Sequence, residues 1–226
     1  MCGRIALYDE PRKIAEWLDA GLDPDLADGW TPSWNVAPTD PILGVSLDRA
    51  GARTLSSYRW GLVPWGVKDP GSIKNTFNAR GETAASKPIF RSAFGRGRIL
   101  VPVGVFYEWQ RNGKEKQPFA FTRADGGPLV LAGLRERRRG DDGAELRSAT
   151  ILTTPAGPDM PIHDRQPVVL EPDAWEHWLD PAVTDRDELE PLLRSCVGGT
   201  LVHRPANRAV GNVRNNGPEM LDPEIV

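Results

Sequence analysis

Cys2 stands directly after Met1, and loss of that one methionine would leave a cysteine carrying amine and thiol on adjacent carbons. Such a 1,2-aminothiol is an aldehyde trap. An α-amine has a pKa of about 7.7–8.0 against about 10.4 for a lysine side chain, so much of it is neutral and nucleophilic near neutral pH without any burial. The amine adds to an aldehyde as a Schiff base, and the neighbouring thiol closes on the same carbon to give a five-membered thiazolidine. A cysteine at position 2 can equally be a residue with no chemical task, so the rest of the chain has to decide.

Three further places carry residue types suited to moving protons or holding an oxygen. Glu108 follows the apolar run Val103-Gly104-Val105-Phe106-Tyr107 and precedes Trp109; aromatic neighbours there can desolvate a carboxylate and fit it for proton transfer. An acid facing water from an edge strand is the alternative. His163 lies in Pro161-Ile162-His163-Asp164-Arg165-Gln166-Pro167, a polar turn before an apolar strand expected at 168–170, and suits either an acid/base or a structural role. Asn78-Ala79-Arg80-Gly81-Glu82 offers groups that position a carbonyl oxygen or a phosphate, or a capping Asn beside a surface Arg. His177 and His203 have no comparable setting. The three His and two Cys are widely separated, so no metal site and no cofactor are expected.

These side chains need a scaffold, and the composition describes one. With 226 residues, 39% hydrophobic and 26% charged, the chain suits a single compact domain. Its 23 Gly and 21 Pro are scattered between short apolar runs, which favours many strands and turns over long helices. Strands are expected at 3–8, 42–47, 54–63, 99–110, 118–122, 129–135 and 149–154, with a hairpin turn at 111–114. Helices fit 11–20, 81–94, 172–179 and 185–196. The expected fold is α+β: one domain with a curved, mainly antiparallel sheet or barrel-like core and peripheral helices. Cys196 reads as a buried small hydrophobe. No apolar run approaches 18 residues, and the N-terminus lacks the order of a signal peptide, so a cytoplasmic protein is expected.

The net charge of −3 and pI near 5.7 argue against a nucleic-acid partner, but the distribution argues for one. Residues 74–98 hold Lys74, Arg80, Lys87, Arg91, Arg96 and Arg98 against Glu82 alone, whereas 171–190 is strongly acidic. Such a basic stretch can guide an anion to one face, or be merely solvated.

Taken in order, the motifs Met1-Cys2-Gly3-Arg4, Trp34-Asn35-Val36-Ala37-Pro38, Trp60-Gly61-Leu62-Val63-Pro64, Asn78-Ala79-Arg80-Gly81-Glu82-Thr83, Phe106-Tyr107-Glu108-Trp109, Leu152-Thr153-Thr154, Ile162-His163-Asp164-Arg165 and the closing 208–219 span nearly the whole chain. They resemble the SRAP family, the SOS response-associated peptidase domain. The resemblance implies a single domain over 2–226, with Met1 removed, that links covalently through Cys2 to abasic sites in single-stranded DNA. It places the family's catalytic Asn, Glu and His on Asn78, Glu108 and His163. It places DNA contacts on Arg4, Arg80, Thr153 and Arg165, and Asn35 and Trp65 join them as DNA-binding candidates. One departure concerns Trp65: the family usually carries a Trp two residues beyond the Pro of Trp-Gly-x-x-Pro, whereas here Pro64 is followed by Trp65 and then Gly66.

The expected protein is therefore a monomer acting on single-stranded DNA, associated with the nucleoid when bound and with no membrane partner. Two other classes stay open. A thiol peptidase or autopeptidase would use Cys2 as nucleophile with Glu108 and His163 as partners. A non-covalent single-stranded DNA reader would use the basic stretch and leave Cys2 idle.

Overall fold

A computed structural model describes residues 2–27, 29–67, 69–140 and 143–223. Met1, whose loss the sequence reading requires, lies outside the described residues. In chain order the elements are β1 (Ile5–Leu7), α1 (Pro11–Trp17), β2 (Gly21–Leu22), α2 (Pro24–Ala27), β3 (Ser33–Val36), β4 (Pro41–Leu47), β5 (Arg53–Trp60), β6 (Asn78–Arg80), α3 (Gly81–Ala84) and α4 (Pro88–Arg96). They continue with β7 (Arg98–Val103), β8 (Val105–Asn112), β9 (Glu115–Arg123), β10 (Leu129–Arg139), β11 (Glu145–Pro155), β12 (Arg165–Pro167), α5 (Trp175–Leu179), α6 (Arg186–Leu189) and β13 (Leu201–Pro205).

Five strands in the order β11-β10-β7-β4-β5 close into a barrel, because β5 also pairs with β11 in parallel at Arg59 with Ser148 and Trp60 with Ala149. A second, antiparallel sheet runs β13-β9-β8-β1-β3. The α+β expectation with a barrel-like core therefore holds. Every residue of β7 is buried, as are the first six of β10, as expected of strands covered on both faces. Helix α4 covers the barrel with Phe90, Ala93 and Phe94, the i, i+3, i+4 spacing of an apolar helical stripe. From α5, Trp178 packs edge-on against Phe94 and donates its indole N–H to Ile99 O at 2.9 Å.

The run expected as one strand over 99–110 is two, β7 in the barrel and β8 in the second sheet. Gly104 is the joint. Its N–H donates to Ala6 O at 2.9 Å, and a Cβ there would lie 2.6 Å from the Tyr8 ring, so the chain can pass between the sheets only without a side chain. The hairpin at 111–114 is present, with Gly113 at φ +60° joining β8 to β9. The helix expected at 81–94 is broken into α3 and α4 by Pro88, which begins α4. The helical pattern at 185–196 ends at Leu193, leaving Cys196 half-buried, its Sγ accepting from Gln166 Nε2 at 3.3 Å.

The strand expected at 168–170 is a single bridge between Val169 and Leu131, and five strands went unforeseen: β2, β3, β6, β12 and β13. Two of them flank the far end of β11. There Thr153 sits opposite Arg80 of β6 and Pro167 of β12, so β11 outruns the barrel as the middle of a short three-stranded strip. The basic segment 74–98 is divided by the fold. Lys74, Arg80, Lys87, Arg91 and Arg96 are exposed, but Arg98 is buried and donates to the main-chain carbonyls of Trp178, Phe94, Asp180 and Val183. Through Arg98 the basic segment lies directly on the acidic one, so the two signs are not held on separate faces.

Candidate active site at the N-terminal cysteine

Strand β1 carries the N-terminus into the molecule between β3 and β8. Ile5 pairs with Phe106, Ala6 pairs with Val105, and Tyr107 N–H donates to Arg4 O at 2.9 Å. Continued backwards, that antiparallel register lays residues 2 and 3 alongside Glu108 and Trp109. Cys2 is fully buried, and Glu108 is 3% exposed. Burial in low-dielectric surroundings pushes the Cys2 thiol far above its ordinary value, and the Glu108 charge adds to that push. The thiol is therefore neutral at physiological pH.

The far end of β11 approaches the same residue from the barrel side. Asn78, at the start of β6, donates Nδ2–H to Cys2 O at 2.6 Å, fixing the cysteine's main chain. Its Oδ1 is buried and accepts no hydrogen bond from the described residues, leaving an acceptor beside Cys2. Two residues on, Arg80 is exposed at the end of the strand. Arg4 lies half-buried on the other side, near Tyr107 and Asp40. Burial lowers its pKa, and two guanidinium nitrogens, Nε and Nη1, are buried with no partner among the described residues. A buried cation with spare donors is an anion seat.

Arg165 opens β12 and is 8% exposed. It reaches across β11 in a two-pronged pair with Glu82, 2.7 Å to Oε1 and 2.9 Å to Oε2, and donates to Thr153 O at 2.7 Å. Thr153, fully buried, turns its hydroxyl toward Ala79 O at 3.4 Å. The carboxyl of Glu82 is held below its ordinary range chiefly by Arg165. These three side chains lock β6, β11 and β12 together under Arg80.

His163 precedes Arg165 by two residues. Its Nδ1 is 3.0 Å from the Arg165 N–H and 2.8 Å from Asp164 Oδ1, and one nitrogen cannot serve both. With Nδ1 bare it accepts from Arg165; with Nδ1 protonated it donates to Asp164, whose side chain is 86% exposed and free to swing. Nδ1 thus has both a donor and an acceptor within hydrogen-bond distance.

One of the expected DNA contacts has its amide hydrogens engaged within the fold. Asn35 is buried, with both amide hydrogens given to Asn212 O at 2.9 Å and Asn215 O at 2.7 Å, so it ties β3 to the C-terminal segment. Trp65, in contrast, is 68% exposed at the tip of the 61–67 loop. The loop's base is pinned by Gly61 N–H to Ala149 O and Val63 N–H to Ser148 Oγ. Tyr107 was missed as an organiser of the site: its hydroxyl donates to Trp34 O at 2.9 Å, clamping β8 to β3 beside Arg4. A larger cavity of about 830 Å³ between Gly21, Arg53 and Glu176 contains none of these residues. Among the described residues no group of His, Cys, Asp and Glu could hold a metal ion, and no helix is long and apolar enough to cross a membrane.

A closed barrel beside a second antiparallel sheet, with Cys2 buried where the first strand enters the molecule, defines the class of fold. The chain belongs to the SOS response associated peptidase (SRAP) family, whose model matches residues 1–213. It is 36% identical to the abasic site processing protein YoqW of Bacillus subtilis over 98% of this chain and 99% of that one. It is 33% identical to the abasic site processing protein YedK of Escherichia coli, over 99% and 100%. Among solved structures, a Bacteroides thetaiotaomicron protein shares the fold with a TM-score of 0.84 at 20% identity, covering 98% of this chain and 99% of that one. A phage-related protein of Bordetella bronchiseptica gives 0.70 at 30% identity, over 92% and 95%.

Proposed function

We propose that this chain processes abasic sites by capturing them covalently: Cys2, freed of Met1, condenses with the sugar aldehyde in single-stranded DNA. The observation that carries the reading is the bond from Asn78 to the Cys2 carbonyl beside buried Glu108, which aims the first residue at an acid/base group. The names of its relatives, abasic site processing proteins, agree with it.

An abasic deoxyribose is mostly a closed hemiacetal, so its ring oxygen must take a proton before C1′ becomes an aldehyde. His163 is suited to that step, because its ring nitrogen lies within reach of both a donor, Arg165 N–H, and an acceptor, Asp164. The Cys2 amine adds to C1′, Glu108 carries the proton to the departing hydroxyl, and water leaves as the iminium forms. The neutral Cys2 thiol then adds: sulfur bonds to C1′, and its proton passes through Glu108 to solvent or to the nitrogen. Ring closure removes the iminium that would acidify C2′ and expel the 3′ phosphate, so the product protects the strand.

Arg4 and Arg80 hold phosphates on either side, and Trp65 stacks on a base, an interaction of about 1–3 kcal/mol in single-strand channels. Thr153 and Arg165 act first by holding β6 in place, and reach a bound strand only by exchanging the bonds they now make. The peptidase reading fits less well, because a cysteine nucleophile needs its thiol pKa lowered and that of Cys2 is raised.

The test is incubation with single-stranded DNA bearing one abasic site, followed by a denaturing gel and intact mass. The expected result is a stable adduct whose protein part lacks Met1. Cys2→Ala is expected to give a Schiff base trapped only by reduction, with more strand scission. Equal denaturation-stable crosslinking by Cys2→Ala would sink the proposal.

A further inference from the structure

At the other end of β10 and β11 the molecule holds a cavity of about 350 Å³ lined by Arg49, Arg96, Arg98, Arg135 and Arg137, with Asp48 the acidic residue among them. For a chain of net charge −3, this is a concentration of positive charge that folding has to tolerate.

Three separate segments build it. Gly97 is the device that joins two of them. A Cβ at Gly97 would lie 2.4 Å from Arg135 O, and Arg135 N–H donates to Gly97 O at 2.6 Å. Only glycine lets the end of α4 lie that close to β10, and so brings Arg96, Arg98 and Arg135 together. The third segment is the turn after β4, where Asp48 accepts from the N–H groups of Ala50 and Ala52 and Arg49 projects, exposed.

The charges are unevenly spent. Arg98 gives its hydrogens to four main-chain carbonyls, and these include the end of α4, so the helix's negative pole is capped rather than left facing the cavity. Its charge stays in place with no ion pair to a carboxylate among the described residues. Arg137 is paired with Glu145 at 2.8 Å. Arg49, Arg96 and Arg135 form no ion pair among the described residues, and Arg135 Nε is buried with no hydrogen-bond partner. Glu136, buried on the opposite face of β10, feels Arg96 and Arg135, one carboxylate against two guanidiniums. A buried donor with no acceptor among the described residues, beside two exposed guanidiniums, marks a place shaped for an outside acceptor.

The geometry points to a second anion site: a pocket for a phosphate group, bound by Arg49, Arg96 and Arg135 above the fixed charge of Arg98. Guanidinium forks match the paired oxygens of a phosphate. The site is separate from the one at Cys2. Arg135 sits opposite Ala149 and Arg137 opposite Arg147, whereas Thr153 is four to six residues further along β11, about 13–20 Å at ~3.3 Å per residue. The phosphate can come from the backbone of a bound strand leading away from the reactive site, or from a free phosphate compound.

Inorganic pyrophosphate is the probe, titrated by calorimetry at constant ionic strength against the full chain. Wild type is expected to bind it and to gain melting temperature in its presence. The triple variant Arg49→Gln/Arg96→Gln/Arg135→Gln is expected to bind at least tenfold more weakly, and Arg49→Gln alone, on an exposed turn that spares the core, several-fold more weakly. Repeating the titration with a single-stranded oligonucleotide without an abasic site separates the two sources. Competition assigns the pocket to the strand's backbone, and undiminished binding assigns it to a free phosphate; either supports the site. Absence of pyrophosphate binding by wild type, or equal affinity in the folded triple and single variants, overturns it.

Discussion

The two ends of the β10–β11 ribbon both hold buried or half-buried arginines, and they treat them in opposite ways. At the reactive end Arg165 is neutralised: a two-pronged pair with Glu82 and bonds to Thr153 consume its donors. At the other end half-buried Arg135 shares a cavity with exposed Arg96, with no carboxylate paired to either among the described residues. An arginine whose donors are met inside the fold stabilises the fold, while one left wanting costs stability unless something else arrives. The contrast separates architecture from binding without any appeal to position. Arg4, with Nε and Nη1 unmet among the described residues, falls with the second group although it lies at the first end.

The largest expected effect tests the reactive end. Glu108→Gln keeps the shape of the buried side chain and removes its proton transfer, so adduct formation should slow by roughly 10²–10⁴-fold while binding to the same oligonucleotide persists. A rate within a factor of a few of wild type would take Glu108 out of the chemistry and leave it a structural acid.

Next in size is the loss of a paired arginine's partner. Glu82→Gln leaves Arg165 charged, 8% exposed and without its carboxylate, and should cost about 1–3 kcal/mol in chemical denaturation. Because the strip formed by β6, β11 and β12 carries Asn78, the same variant should also blunt adduct formation. Unchanged stability would mean that water replaces the carboxylate at no cost.

A smaller effect comes from protons. Cys2 and Tyr107 are both raised by burial from ordinary values of 9.0 and 10.0, so each must lose its proton more readily in the unfolded chain. Their contribution to stability is complete below those ordinary values and is lost as pH climbs through the higher folded ones, at about 1.4 kcal/mol per pH unit for each group. In wild type the decline should set in near pH 9. In Cys2→Ala the decline should be shallower from the start, because only Cys196, also raised by burial from 9.0, remains to titrate until Tyr107 joins it about one unit later. Identical alkaline limbs would show that the thiol is not shielded as the fold implies.

How much of this was legible beforehand depends on how local the cause is. Cys2, Glu108 and His163 announce themselves by residue type and neighbours, and the barrel strands by apolar runs that need both faces covered. β6 and β12 do not, since three residues each, two of them polar, have no pattern of their own and become strands only by pairing with β11. Asn35 looked like a contact residue in its motif, yet its amide hydrogens are taken up by residues about 180 positions away. The segment 74–98 reads as one basic stretch, whereas Arg80 ends beside Thr153, Arg96 in the arginine cavity and Arg98 beneath it. A charge count along the chain has no access to that division, which is made by Gly97 and by the register of β10.

The smallest effect is the most discriminating. Arg96→Gln and Arg135→Gln remove charges that form no ion pair among the described residues, and the repulsion they relieve with Arg98 below them outweighs the attraction they lose to Glu136. Each should change stability by no more than about 0.5 kcal/mol, and in low salt the sign should be stabilising, because screening is weakest there. The same size of change made at Glu82 is costly. Urea denaturation of Glu82→Gln, Arg96→Gln and Arg135→Gln, at low and at high salt, places the two kinds of arginine on one scale. If Arg135→Gln proves as destabilising as Glu82→Gln, then Arg135 is held by the fold after all, and the division between the two ends of the ribbon is lost.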